Sequence, residues 1–382
     1  MRAGSGRQAR LADRFRSAVI RGLVLAIAAW GLSAGVAWAT PPNAPDAGTW
    51  GTDGRVWSIV QVGGTVFVGG DFDHAVAPNG SQVSRDNLMA IDAATGALDT
   101  TFVPDPNGIV YALATNGSEL FVGGDFTTID GQARSHFAAY SGETLESWKA
   151  DATKRVRTLA VSGSTLYMGG QFAKVNGIKR QRLAALDLSQ PVPTVLPLHI
   201  TVNAEIRSLA PLSNGQLVIA GVFATVNGSS QAYIAALNPD GSVAPWATHP
   251  AFQVWQVAAL GSDVLVAGGG TGDPDGHAYR FTNAGVIEWD IGTDGGVQAV
   301  AYDAKDGEVI LGGHFRHIAG VNAPRLAAVN PTTGAVDTGW TPKPNSAKGT
   351  WSLFVTSSKL YAGGDFTLMG SATFRHLARF SI

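Results

Sequence analysis

An apolar run that closes on Gly-Gly-x-Phe recurs down the chain, and self-similarity at a fixed period dictates a repeat architecture before any single motif is weighed. The run reads VFVGGDF to Phe72, LFVGGDF to Phe126, LYMGGQF to Phe172 and LVIAGVF to Phe223. A degenerate VLVAGGGT to Thr271 follows, then VILGGHF to Phe315 and LYAGGDF to Phe366. Successive ends lie 54, 46, 51, 48, 44 and 51 residues apart. A polar loop and a third apolar stretch come after each: LMAID, FAAYS, LAALD, IAALN, AYRFT, LAAVN and LARFS. A short turn leads to a fourth stretch ending near Phe102, Trp148, Trp246, Trp289 or Trp340. Four antiparallel strands in roughly 45–50 residues is the period of a propeller blade. The expectation is an all-β, seven-bladed β-propeller.

Composition agrees. Glycine makes up 48 of 382 residues, too many for a helical bundle, and charged residues are only 15% against 45% hydrophobic, which argues against disorder. Residues 1–39 read as an export signal. Six arginines precede an uncharged run from Leu23, and Ala37-Trp38-Ala39 offers a small-x-small cleavage site before Thr40-Pro41-Pro42. The mature chain, 40–382, is then one propeller domain, exported, with no membrane span after cleavage. Removing the signal takes six of 27 basic and one of 29 acidic side chains, leaving a formal charge of −7. That balance argues against nucleic acid as a partner. With no cysteine there are no disulfides and no thiolate metal sites.

The last unit stops at Ile382 without a fourth strand, and Gly48-Thr49-Trp50 stands before Val56 much as Trp148 stands before Val156. Closure of the ring by an N-terminal strand on the last blade follows, a device that hides the edge a half-finished blade would expose. The pattern L-Y-V-G-G-D-F-T-x-[IV]-x-G, with an arginine shortly before [LF]-A, resembles the delta-sixty repeat β-propellers of secreted bacterial proteins. Propellers of fungal cortical cell-polarity markers are related to these. The resemblance spans residues 47–382, with the fifth unit departing most. It implies a fold and an extracellular setting and carries no shared activity.

Few residues suggest chemistry. Asp71, Asp125 and Asp365 of the repeated motif stand in units that also carry Arg85, Arg134 and Arg375 before the third strand, and the expectation is an ion pair within each unit. His314 and His317 form an H-x-x-H without a third ligand, and Asp273-Pro274-Asp275-Gly276 is a fragment of a calcium loop, so no metal site is assigned. No phosphate-cradling loop and no cofactor motif is present, and no catalytic residues are assigned. Asn79, Asn116 and Asn227 begin Asn-Gly-Ser sequons that read equally as turns.

The informative set is positional. Near the start of the first strand of successive units come Trp57, Tyr111, Arg157, Arg207, Trp255, Gln298 and Trp351. First strands line the channel of a propeller, so these seven side chains form a candidate ligand-binding ring at one mouth, aromatic on one side and basic on the other. Such a ring suits stacking on a sugar and binding of its carboxylate. The bland alternative is that they plug the channel. The functional expectation is a non-catalytic binding module for an acidic saccharide, a cell-envelope component or a protein. A glycan-active hydrolase or lyase on the same face is the alternative, and a purely structural protein–protein scaffold a third reading.

Overall fold

Each repeat becomes one antiparallel sheet in which the first strand pairs with the second and the second with the third. In unit one these are Arg55–Val62, Thr65–Asp71 and Leu88–Asp92. The computed structural model describes residues 41–269, 276–346 and 348–382, and these are strands, turns and loops without a helix. The export-signal segment and Asp273–Asp275 lie outside the described residues. Among the described residues no helix is long and apolar enough to cross a membrane.

The first strands of the later units are Val110–Thr115, Val156–Ser162, Ile206–Pro211, Val254–Leu260, Val297–Asp303 and Thr350–Val355. Each packs on the first strand of the next unit, and the last packs on Arg55–Val62. The alternation within a strand explains the packing, because the apolar residue opening each one (Val56, Val110, Val156, Ile206, Val254 and Val297) is fully buried. The first glycine of Gly-Gly-x-Phe makes room for it. A Cβ on Gly69 would lie 2.5 Å from Cγ1 of Val110, and one on Gly123 2.7 Å from Cγ1 of Val156. The second glycine lies against its own unit, where a Cβ on Gly124 would stand 2.9 Å from the Phe126 ring.

Two expectations are revised here. The polar loop between second and third strands is a small hairpin in six units. In unit two, Thr128–Ile129 pairs with Gln132–Ala133. Its turn residues Asp130 and Gly131 both have positive φ (52° and 67°), the backbone of a tight primed turn, and the isoleucine it presents is fully buried. The fourth strand, conversely, shrinks. It is two residues long in units two and three, a single bridge in units one, four and six, and a full strand, Ile287–Thr293, only in unit five. The large side chains at its end remain buried, Trp340 completely.

The expected ion pairs within units do not form. Arg85, Arg134 and Arg180 are buried and donate to main-chain carbonyls instead, Arg134 to Ala133 (3.0 Å) and Glu146 (2.7 Å). They tie the shrunken fourth segment to the loop before the third strand. Arg375 is not their counterpart. The backbone bond Arg134 N–H to Thr127 O is matched in unit seven by Phe374 N–H to Thr367 O, which puts Arg375 one residue further on.

The N-terminal segment runs beside the last unit. Glu146 N–H donates to Ala139 O and Ala152 N–H to Ser135 O in unit two. Asp46 N–H to Arg379 O (2.6 Å) and Thr52 N–H to Arg375 O (2.9 Å) repeat the same two bonds on unit seven. The Asp46 carboxylate is held there by Lys359 (2.7 Å) and Arg379 (3.2 Å). Gly51–Thr52 then pairs with Ala75–Val76 of unit one.

Candidate functional site

A register shift interrupts every first strand at the same place: between Val56 and Ser58, Val110 and Ala112, Val156 and Thr158, Ile206 and Ser208, Val254 and Gln256, Val297 and Ala299, and Thr350 and Ser352. The skipped residue is the bulged one. Those seven residues are Trp57, Tyr111, Arg157, Arg207, Trp255, Gln298 and Trp351. A bulge leaves its extra residue out of the ladder and re-aims the side chain. All seven border a single cavity of about 230 Å³. The polar side chain after the bulged residue accepts from a first-strand N–H of the next unit. Leu113 N–H donates to Ser58 Oγ (3.0 Å), Val257 N–H to Ser208 Oγ (3.1 Å) and Val300 N–H to Gln256 Oε1 (3.0 Å).

Beyond the ring a tier of aliphatic side chains lines the cavity: Ile59, Leu113, Leu159, Leu209, Val257 and Leu353, all buried. Two positions further along the strands, Gln61, Thr115 and Val355 take no part in the lining.

The ring is bound together by cations on π faces. Arg157 lies 4.6 Å from the Trp57 ring centre and 4.4 Å from that of Tyr111, and Arg207 lies 3.9 Å from that of Trp255. Edge-on contacts continue the belt from Tyr111 to Trp57 (5.7 Å), Trp57 to Trp351 (4.9 Å) and Trp351 to Trp255 (5.7 Å). The belt therefore begins and ends on arginine, Arg157 at one end and Arg207 at the other. Gln298, buried, is outside it.

Arg55 and Arg155, two residues before Trp57 and Arg157, are rim residues that the sequence reading missed. Arg55 sits 4.8 Å from both the Trp57 and Trp351 ring centres and pairs with Asp365 at 2.6 Å. Arg155 pairs with Asp125 at 3.2 Å. Two of the three motif aspartates, Asp125 and Asp365, thus bond to the next unit's first strand, while Asp71, facing Ile109 there, does not. The signal was the charge two places before the ring residue, in Arg55-Val56-Trp57, Arg155-Val156-Arg157 and Glu205-Ile206-Arg207. Trp351 Nε1–H also donates to Asp365 (3.1 Å). His314 stands edge-on to Trp351, whereas His317 lies on Asp294 at 2.8 Å, so the two histidines, separated by the bend between Gly313 and His317, serve different neighbours.

Charges around the ring are unevenly matched. Arg207 has Glu205 at 3.7 Å and Gln253 Oε1 at 3.1 Å. Arg157 makes no ion pair or hydrogen bond among the described residues; its guanidinium lies on the rings of Trp57 and Tyr111, with Glu205 near enough to act on it by charge alone. Desolvation pulls its pKa down to about 10 against the attraction of the Glu205 carboxylate, with Arg207 and Arg155 adding a smaller repulsion, so it stays charged at neutral pH. Burial pushes the Tyr111 hydroxyl up.

Comparison with known proteins defines the class. A family model described as a domain of unknown function (DUF5122) beta-propeller matches residues 212–243 and 304–339. Among solved structures the chain is similar to the WD40 beta propeller domain of Doa1 (TM-score 0.56, 13% identity, 90% of this chain and 97% of that one). It is similar also to the computationally designed Ika8 protein (0.55, 13%, 90% and 100%). A third is the extracellular domain of the putative one component system BT4673 from B. thetaiotaomicron (0.53, 15%, 88% of this chain and 40% of that one). No curated protein matches the sequence. At these identities the likeness speaks for the fold alone, and the fold is a β-propeller.

Proposed function

We propose that the chain is an exported, seven-bladed β-propeller of the delta-sixty type, closed by residues 46–52 on the last blade. We propose further that it is a non-catalytic binding module whose channel mouth takes an anionic group of an acidic saccharide or cell-envelope component. The cyclic contacts of the first strands and the bonds from Asp46 and Thr52 to the last unit support the closed ring. One observation carries the ligand: the Arg157 guanidinium borders the cavity with donors unmatched by protein, and an unmatched guanidinium is a bidentate receptor for a carboxylate. The overall charge is negative, so this local positive site selects a small anionic group rather than a polyanion. The hydrolase or lyase reading has less support, because Asp125, Asp365 and Glu205 at the rim are each engaged by an arginine.

The test is calorimetric titration of a hexuronate, with product analysis of the same mixture. The expected affinity is micromolar, about 8 kcal/mol, with the ligand recovered intact. Arg157→Gln weakens it at least tenfold while the protein stays folded, its melting temperature lowered only by the loss of the contacts with Trp57 and Tyr111. Turnover of a glycan substrate, or binding indifferent to Arg157→Gln, overturns the reading.

A further inference from the structure

We infer that the cavity reads the end of an acidic saccharide chain, acid group first, and does not accept an acidic residue in the middle of one; this rests on the anion-binding reading above. Three independent features of the site carry it.

The aromatic faces are already occupied. Trp57 carries the guanidiniums of Arg55 and Arg157, Tyr111 those of Arg157 and Arg155, Trp351 that of Arg55 and Trp255 that of Arg207. A chain lying across the mouth with its sugar faces on these rings would first have to strip off cations that the rings stabilise. The expectation from the sequence of a sugar stacked on the aromatic side of the ring is therefore not the arrangement this geometry favours. What the belt presents to a ligand is guanidinium edges, and those recognise a carboxylate end-on.

The second feature is the floor. The lining stops at the aliphatic tier of Ile59, Leu113, Leu159, Leu209, Val257 and Leu353, whose exposures run from 3% to 8%. A chain cannot continue through that tier, since a polar sugar there would be desolvated against aliphatic carbon with nothing to hydrogen-bond.

The third is size. At about 230 Å³ the cavity falls below the roughly 300–1,000 Å³ of sites for drug-sized ligands, which leaves space for one small ring and its acid group. An internal residue has a glycosidic neighbour on each side and would have to bring both into this space. A terminal residue brings one, and that one points out of the mouth.

Five probes test this by titration against the unmodified chain: a free hexuronate, a tetrasaccharide of hexuronates, the same tetrasaccharide with only its non-reducing terminal carboxyl reduced to the alcohol, one with only its reducing-end carboxyl reduced, and a peptide bearing a free C-terminal carboxylate. The expected result is that the monosaccharide and the intact tetrasaccharide bind with Kd values within about threefold of each other. One of the two end-reduced probes then binds at least tenfold more weakly, which also tells which end enters. If both end-reduced tetrasaccharides bind as well as the intact one while the monosaccharide does not, internal residues are being read and the inference fails with the anion reading intact. If no probe binds, the anion reading itself falls. If a peptide bearing a free C-terminal carboxylate binds and all the saccharides do not, the site is a carboxylate site of another class and the inference is overturned.

Discussion

Units two and five build the same bulge on different supports. Unit two follows the repeat closely, with its Gly-Gly-Asp-Phe, a tight hairpin, a buried Arg134 on two carbonyls and a two-residue fourth strand. Unit five has neither that phenylalanine nor the buried arginine. Its third strand, Gly276–Phe281, pairs instead along the whole of Ile287–Thr293. A ladder of that length holds the outer strand without the arginine. The bulged Trp255 is nonetheless in register with Tyr111, because the bulge depends on the first two strands alone. The two ring residues of these units are anchored at the end of their own second strands. Tyr111 Oη reaches Asp125 (3.5 Å), and Trp255 Nε1–H donates to Gly269 O (3.1 Å). The outer part of a unit is thus free to vary while the ring is kept.

The largest expected effect tests how unit five replaces its missing phenylalanine. Phe252, from the segment before the first strand, lies where a Cβ on Gly268 would meet its ring at 2.5 Å, as Phe126 does on Gly124. It continues outward as a stack with His277 (5.3 Å) and Tyr279 (5.9 Å). Phe126→Ala empties a fully buried site and is expected to cost about 3–5 kcal/mol. Phe252→Ala, at a half-buried site, is expected to cost roughly 2 kcal/mol. Urea unfolding measures both, and a Phe252→Ala variant as stable as the parent would show that nothing replaces the lost ring.

Unit five's irregularity was legible as a departure, since Ala-Gly-Gly-Gly-Thr supplies no ring, but Phe252 was not. Its role depends on a contact between segments about sixteen residues apart with no repeated spacing to announce it. The ring of seven was legible because it recurs at one offset from a buried apolar residue. The arginine caps were misread for a physical reason. Asp and Arg in one unit invite pairing, yet the strand ends point Asp125 across to Arg155 and Arg134 back to carbonyls. The small hairpins were missed although Asp130-Gly131, Asn176-Gly177 and Asn227-Gly228 are strong primed-turn dipeptides, because two-residue strands hold too few apolar positions to show an alternation.

The same comparison extends to the acid that opens the second strand. In unit five Asp263 is met by Arg280 at 2.7 Å. In unit six Glu308 takes that place at 1% exposure, with no bonded partner for either oxygen among the described residues, and Asp303, Asp306 and Asp337 nearby. Burial first, then those three carboxylates, push its pKa up to about 8. A carboxyl whose folded pKa is raised binds its proton in the folded state while the unfolded chain has released it. Stability from this group is therefore complete below about pH 4.5 and is lost as pH rises through about 8. Glu308→Gln should thus stabilise the protein by on the order of 2 kcal/mol at pH 8 and by nearly nothing at pH 4.5. Thermal melts across that range measure the difference. A gain independent of pH would mean that Glu308 does not titrate as its surroundings require.

The smallest effect concerns the boundaries between units. Asp125 and Arg155 bridge units two and three at 3.2 Å, each about a third exposed. At the boundary of units five and six Gly296 stands where Arg155 stands, so no such bridge is possible there. If boundaries depended on these bridges, the one after unit five would be the weak point of the ring. An exposed pair contributes little, about 0–1 kcal/mol, and the apolar contact of each first strand with the next is common to both boundaries. Arg155→Ala is accordingly expected to lower stability by no more than about 0.5 kcal/mol. Arg55→Ala should cost more, about 1 kcal/mol, because its 2.6 Å bond to Asp365 is better shielded and its guanidinium also covers Trp57 and Trp351. Hydrogen exchange on the first strands locates the effect. Protection lost only at the two–three boundary in Arg155→Ala would make the bridge a structural tie, whereas unchanged protection with altered hexuronate affinity assigns Arg155 to the field around Arg157.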